Sequence, residues 1–519
     1  MTTTTVNSLV DISTREYQDA IARSALTANT LVVIPTGLGK TIIALLVARE
    51  RLAQHPTSKV IILAPTRPLV LQHSQFFERH LADKIPSAVL TGEVPPTERR
   101  DLLASSKAIF ATPEVIRNDV LEERYSLNDV SLIVFDEAHR CVRDYAYSQV
   151  AEVYKLTAAN PLILGLTASP SSRRARVEEI CQRLAITNVQ TRTEEDSDVT
   201  SYVQQVSVNW VRVPLPTSYK QVSRVLRAAL EERVRKLKVM RQLPMNVPVS
   251  KRILLELGER LRERLRHGGA GPVYGAIMLQ AQSMSLLHSV ELLETHGMRS
   301  LEKALERLNQ ADSKSAKSLS KDPRILEAQK LAISLGDQEH PKLKSLRDLV
   351  SDELSSNKEA KLIVFTQFRD SVETIVNNLA QVGGVSPVRF VGQATRSEDD
   401  VGLSQSEQME ILEQFRNGTY NVLVTTSIGE EGLHVPDVDH VVFFEAVPSE
   451  IRLIQRRGRT GRTRPGKMTV LIAEGTIDEA YYWTSKRKEE QMHRFLETVK
   501  KKGAGPRPSK RKSTLDAYS

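Results

Sequence analysis

Residues 35–41 (PTGLGKT) restrict the fold of this chain more than any other stretch of similar length. An apolar run at 31–34 leads in, and an amphipathic stretch at 41–51 leads out. The segment therefore reads as a tight turn between a strand and a helix. Glycines let successive backbone amides converge on one point, and the first turn of a helix adds partial positive charge there. Such a cradle suits a phosphate and belongs to a parallel sheet whose strands are joined by covering helices. The rhythm recurs along the first part of the chain, with apolar runs at 31–34, 60–63, 108–111, 132–135 and 162–165. Each is followed by turn residues and an amphipathic segment. It returns at 362–365, 388–391, 422–425, 441–444 and 468–472. An α/β chain with two parallel-sheet domains is expected.

Between the two, apolar residues are spaced three and four apart, as at 222–240 and 253–266, which predicts helices broken at Pro244, Pro248 and the 268–272 stretch. The expected organisation is a first α/β domain over 1–210, a helical insert over 211–335, a second α/β domain over 336–499 and a disordered basic tail over 500–519. The stretch 217–320 holds 19 Lys and Arg against 10 Asp and Glu, an excess equal to the net charge of +9 of the whole chain. That charge suits either a solvated helical face or contact with a polyanion such as nucleic acid. No apolar run approaches the roughly 20 residues that a membrane span needs. Two cysteines without a CxxC pair, and an N-terminus without a secretory pattern, lead to the expectation of an intracellular, reducing setting, cytoplasmic or nucleoid-associated.

Further motifs complete a nucleotide site. In the turn itself, Pro35, Thr36, Gly37, Leu38 and Gly39 would wrap phosphate oxygens, Lys40 would neutralise the β- and γ-phosphates, and the Thr41 hydroxyl would bind Mg²⁺. The usual pattern has Gly where this chain has Ile34. Asp136 and Glu137 end the 132–135 run, 96 residues beyond Lys40, within the sequence DEAH. There Asp136 would hold Mg²⁺ and Glu137 would position the attacking water. His139 lacks a second ligand at metal spacing, which leaves it a coupling role. An arginine-rich turn at 455–462 (QRRGRTGR) offers Gln455, Arg459 and Arg462 from the second domain. A guanidinium supplied across a cleft makes hydrolysis depend on domain closure. ATP and Mg²⁺ are the expected cofactors.

This motif series resembles that of the superfamily 2 helicases across nearly the whole chain. The resemblance implies two RecA-like motor domains with the all-helical insert between them. It gives 15–18 (REYQ) an adenine-reading role through Arg15 and Gln18. It gives backbone tracking in the first domain to Thr66 and Arg67 of APTRP, Thr91 and Gly92, and Thr112 of TPE. Thr167 and Ser169 of TAS would couple hydrolysis to nucleic acid. In the second domain, Thr366 and Gln367 of FTQFR, Gly392 and Gln393 of VGQ, and Thr425 of TTSIGEEG would grip the backbone, with Gly432 on the nucleotide side. The phrases IVFTQFRDS, TTSIGEEGL and LIQRRGRTGR are similar to those of the archaeal Hef and eukaryotic FANCM family. That likeness implies a thumb-like insert and 3′-to-5′ action on branched DNA, such as replication forks and Holliday junctions, in repair or fork restart.

His434 stands where the family usually has Asp near the ribose, and no sequence matches the ERKxxxD nuclease motif carried by many Hef proteins, so DNA cleavage is not expected. The end of the chain, 512–519 (KSTLDAYS), loosely resembles a box that binds the PCNA sliding clamp, with Leu515 and Tyr518 as its anchors. Two other readings remain open: a double-stranded RNA-directed enzyme of the RIG-I or Dicer type, and an ATP-switched clamp adaptor.

Overall fold

Strands buried on both faces read as continuous apolar runs rather than alternating ones. The computed structural model describes residues 12–81, 85–171, 174–202, 206–246, 249–268, 271–336, 338–395, 401–426, 436–446 and 466–502, and those runs form two parallel sheets in it. In the first sheet lie β1 (Thr30–Val33), β2 (Lys59–Leu63), β3 (Ser87–Leu90), β4 (Ala108–Ala111), β5 (Val130–Phe135), β6 (Ile163–Thr167) and β7 (Asn188–Thr191). Their order across the sheet is β3-β4-β2-β5-β6-β1-β7. The second sheet comprises β8 (Val206–Val213), β9 (Leu362–Phe365), β10 (Pro387–Phe390), β11 (Val422–Thr425), β12 (His440–Phe443) and β13 (Gly466–Ala473), ordered β10-β11-β9-β12-β13-β8. Side chains alternate between the faces, so Leu31 and Ile133 enter one core of the first lobe while Val32 and Leu132 enter the other.

All ten expected strands are present, and those at 108–111, 362–365 and 422–425 match to the residue. Three more were not anticipated: β3, β7 and β8. Each is an edge strand, and β7 and β8 carry Asn188, Gln190, Ser207 and Asn209 where an apolar run would have been visible. β8 pairs with β13 from Val206↔Gly466 to Val213↔Ala473. Residues 206–210 therefore belong to the second sheet, and the limit drawn at 210 from the sequence falls inside a strand. The C-terminal helix Ile477–Lys502 likewise runs past 499.

The insert is helical, as its spacing predicts. Its helices include Thr217–Val239, Pro272–His296, Met298–Gln310 and Pro323–Ser334, packed around Leu226, Leu286, Leu293, Leu301 and Ile325, and Lys251–Arg266, whose Leu254, Leu257 and Leu261 form a second cluster with Leu237 and Ala276. At Gly297 (φ +101°) the chain reverses, and a Cβ there would lie 3.2 Å from the Tyr219 hydroxyl.

This corner of the insert meets the second lobe through buried polar groups. Glu294 accepts from Ser223 Oγ (2.6 Å) and from the Ile477 N–H (3.1 Å). His296 Nδ1 lies 2.6 Å from Ser371 Oγ. His340 Nε2 donates to the Glu294 carbonyl (3.1 Å), and its Nδ1 accepts from the Lys342 N–H (3.2 Å), capping the helix Pro341–Ser356. Lys342, fully buried, donates to the Phe444 carbonyl (2.9 Å) and pairs with Asp478. An ion pair so buried tolerates loss of neither partner.

Burial, aided by the Lys342 ammonium, pulls His340 down to about 3, and burial with Lys342 and His340 nearby holds His296 well below the usual imidazole range. Both stay neutral in the folded chain, whereas the unfolded chain takes up protons below about pH 6.5. Stability should then be flat above that pH and fall below it, by up to about 1.4 kcal/mol per pH unit per histidine. Denaturant midpoints measured from pH 7.5 to 5.5 are expected to drop, and His340→Asn, which keeps a capping side chain, to drop less steeply. Equal slopes for the two proteins would refute this.

Candidate nucleotide site and nucleic-acid face

The phosphate loop follows β1 and opens the helix Lys40–Gln54, with Gly37 at φ +87° and Gly39 at φ +81°. Only glycine adopts this region without cost. The loop is held from behind. The Tyr17 hydroxyl (2.7 Å) and Gln18 Nε2 (3.1 Å) both donate to the Leu38 carbonyl, while Gln18 Oε1 accepts from the Arg15 N–H (3.0 Å). Gln18, the side chain expected to read the adenine edge, is fully buried and clamps the loop through these bonds. Arg15 donates to the Tyr17 hydroxyl (3.0 Å) and lies 4.8 Å from the Tyr202 ring centre. The Lys40 ammonium lies over the loop, donating to the carbonyls of Ile34 (3.3 Å) and Pro35 (3.4 Å).

β5, buried throughout, delivers Asp136 and Glu137 to the same edge of the sheet, with only β6 between β5 and β1. Asp136 Oδ1 accepts from the Glu137 N–H and Oδ2 lies against His73 Nε2, both at 2.9 Å, while the Tyr147 hydroxyl donates to the Asp136 carbonyl (2.7 Å). Burial alone would raise the Asp136 carboxyl; the hydrogen bond and field of His73, with the Lys40 charge, hold it below the ordinary carboxylate range. Glu137 stands at φ +49°, ψ +49°, a conformation that non-glycine residues adopt at a cost and that marks many functional positions.

The three expected coupling residues come together. His139 Nδ1 lies 3.2 Å from Thr167 Oγ1 and 3.1 Å from Glu137 Oε2, and the Ser169 N–H donates to Thr167 Oγ1 (3.2 Å). Ser169 Oγ meets Met492 Sδ at 2.9 Å. Met492 belongs to the C-terminal helix that leaves β13, and it is buried in a first-lobe core. Gln455, Arg459, Arg462 and Gly432, together with His434, Leu515 and Tyr518, lie outside the described residues.

The residues expected to grip nucleic acid gather in two matching rows. Thr66, Thr91 and Thr112 follow the C-terminal ends of β2, β3 and β4, three neighbouring strands of the first sheet. Thr366, Gly392 and Thr425 stand at the C-terminal ends of β9, β10 and β11, three neighbouring strands of the second. Thr66 and Thr112 are N-caps of helices, and a Cβ at Gly92 would meet open space. Arg67 pairs with Glu93 and donates to Gln405 Oε1 of the second lobe (2.9 Å). Gln367 Nε2 donates to the Ala446 carbonyl (3.3 Å), and Gly392 O accepts from Arg369 (2.9 Å). The Oγ1 atoms of Thr66 and Thr366 are buried without a partner among the described residues.

The solved helicase domain of Pyrococcus furiosus Hef is similar to this chain over 91% of its length and 98% of that structure, at 43% identity and a TM-score of 0.68. The chain is a superfamily 2 helicase of the Hef and FANCM family. Three family models match successive parts of this helicase. Residues 15–177 match a DEAD/DEAH box helicase domain, and 341–464 match a helicase conserved C-terminal domain. Residues 218–338 match a helical bundle described as that of a putative ATP-dependent RNA helicase. A putative ATP-dependent RNA helicase of Methanocaldococcus jannaschii is 41% identical over 94% of this chain, and the ATP-dependent DNA helicase mph1 of Neurospora crassa is 33% identical over 90%. The alignments span 61% and 41% of those two relatives. No described helix is long and apolar enough to cross a membrane.

His73, Tyr147 and Met492 escaped sequence reading. For His73 a signal existed: it shares the stripe Val70, His73, Ser74 and Phe77 that the helix Arg67–His80 buries. A Cβ on Gly39 would fall 2.3 Å from Gln18 Nε2. Gly39→Ala should therefore weaken nucleotide binding at least tenfold while far-UV circular dichroism is retained, at a stability loss of about 1–3 kcal/mol. Unchanged affinity of a fluorescent ADP analogue would contradict the clamp.

Proposed function

We propose that this helicase hydrolyses ATP with Mg²⁺ at the loop and carboxylates described above and moves along branched DNA, with 3′-to-5′ polarity, in repair or fork restart. The residues suit the nucleotide and the ion. Two left-handed glycines leave the loop without Cβ atoms, and Asp136 stands beside the Lys40 field with its carboxylate ionised. Magnesium is commonly held by one or two carboxylates plus substrate phosphates, so Asp136 with Thr41 is a sufficient protein share. Bound there, Mg²⁺ supplies charge neutralisation at the phosphates. Lys40 leaves the carbonyls of Ile34 and Pro35 to neutralise the β- and γ-phosphates, Thr41 and Asp136 hold the ion, and Glu137 orients the attacking water. Arg459 and Arg462, with Gln455, complete the site from the second lobe.

The observation that carries the motor reading is the pair of matching rows, Thr66, Thr91 and Thr112 after three neighbouring strands of one sheet and Thr366, Gly392 and Thr425 at three neighbouring strand ends of the other. Two similar grips on one backbone, brought together and parted by nucleotide, move along it stepwise. Contacts of this type read phosphates rather than bases, so binding should be sequence-independent and salt-sensitive. The insert presents exposed Arg260, Arg262, Arg264 and Arg266 from one helix, which suits the recognition of a junction arm. DNA as substrate is supported by the Neurospora relative, named an ATP-dependent DNA helicase, and RNA by the Methanocaldococcus relative, named a putative ATP-dependent RNA helicase.

Lys40→Ala is expected to lower ATP turnover more than 100-fold with an unchanged melting temperature; normal turnover would remove the site assignment. Forked DNA should stimulate the wild-type ATPase well beyond double-stranded RNA. The reverse order would replace DNA by RNA as the substrate.

A further inference from the structure

The buried stripe of the helix Arg67–His80 would pack as well with an apolar residue at 73, yet it holds an imidazole, only 5% exposed. Its Nε2 lies 2.9 Å from Asp136 Oδ2, and its Nδ1 is buried with no hydrogen-bond partner among the described residues. A buried nitrogen left unsatisfied costs free energy, so the ring is kept for what its other nitrogen does. The opposite oxygen of Asp136 receives the Glu137 N–H. Without His73 the carboxylate would be held on one side only, and the last torsion of an aspartate is soft.

We propose that His73 is a positioning residue for Asp136, fixing the plane in which that carboxylate meets Mg²⁺. The inference rests on the reading of Asp136 as the magnesium ligand. Donors behind metal-ligating carboxylates typically govern metal affinity by tenfold or more. His73 also stands on the helix that Thr66 caps and Arg67 opens. The side chain that backs the magnesium carboxylate and one expected nucleic-acid grip thus share one rigid element.

Two substitutions separate packing from positioning. His73→Leu fills similar space without a donor, whereas His73→Gln places an amide N–H near the position of Nε2. Affinity for a fluorescent ADP analogue is measured with EDTA and with Mg²⁺ on folded full-length protein, together with the Mg²⁺ half-saturation of ATP turnover. For His73→Leu, the gain in nucleotide affinity on adding Mg²⁺ should shrink about tenfold, the half-saturation should rise about tenfold, and affinity in EDTA should be unchanged. His73→Gln should recover most of both. A His73→Leu protein with the wild-type magnesium gain, or a His73→Gln protein as impaired as His73→Leu, would overturn the proposal. A wild-type protein with no magnesium gain at all would remove the metal site itself, which sets the two failures apart.

Discussion

Everything at the nucleotide site depends on the carbonyl of Leu38. Two side chains of the first helix, Tyr17 and Gln18, donate to it, and those bonds hold the turn in the shape that Gly37 and Gly39 make possible. Glycine permits left-handed backbone but does not impose it, and it is entropically the loosest residue to order. The clamp does the selecting. It sets the turn at the start of the helix Lys40–Gln54, whose dipole adds partial positive charge there. A phosphate bound there would meet a turn whose shape is set beforehand, so less ordering would remain on binding.

Much of this was legible in the sequence, for reasons that can be named. Buried parallel strands leave unbroken apolar runs, and β4, β9 and β11 could be placed to the residue. The phosphate loop and the acidic pair drew attention because each follows a predicted strand end, and Thr167 and Ser169 did so through the family resemblance. The edge strands β7 and β8 were not visible, because they carry Asn188, Gln190 and Asn209 where an apolar run would have been seen. Pairing of β8 with β13 depends on a contact between segments far apart in the chain, which no local period reports. The clamp role of Gln18 and the bond between His73 and Asp136 are contacts between elements, and only coordinates reveal them.

The lobes communicate through more than the cleft. The C-terminal helix leaves β13, is anchored at its start by Asp478 on Lys342, and further along places Met492 in the first lobe against Ser169. Thioether sulfur is polarisable and its side chain adaptable, so a methionine can keep contact while the helix shifts slightly. Through Ser169, Thr167 and His139 that contact continues to Glu137. The residue expected to orient water is thus joined by contiguous contacts to an element rooted in the opposite lobe.

Because β8 lies in the second sheet, the chain enters that sheet before it builds the helical insert and re-enters it afterwards at β9. The insert is therefore a loop expansion of the second lobe rather than a bridge between the lobes. Both its ends are tied to one scaffold. Such a module can be enlarged, exchanged or worn down over evolutionary time without rethreading either sheet, and one engine could thereby acquire quite different cargo.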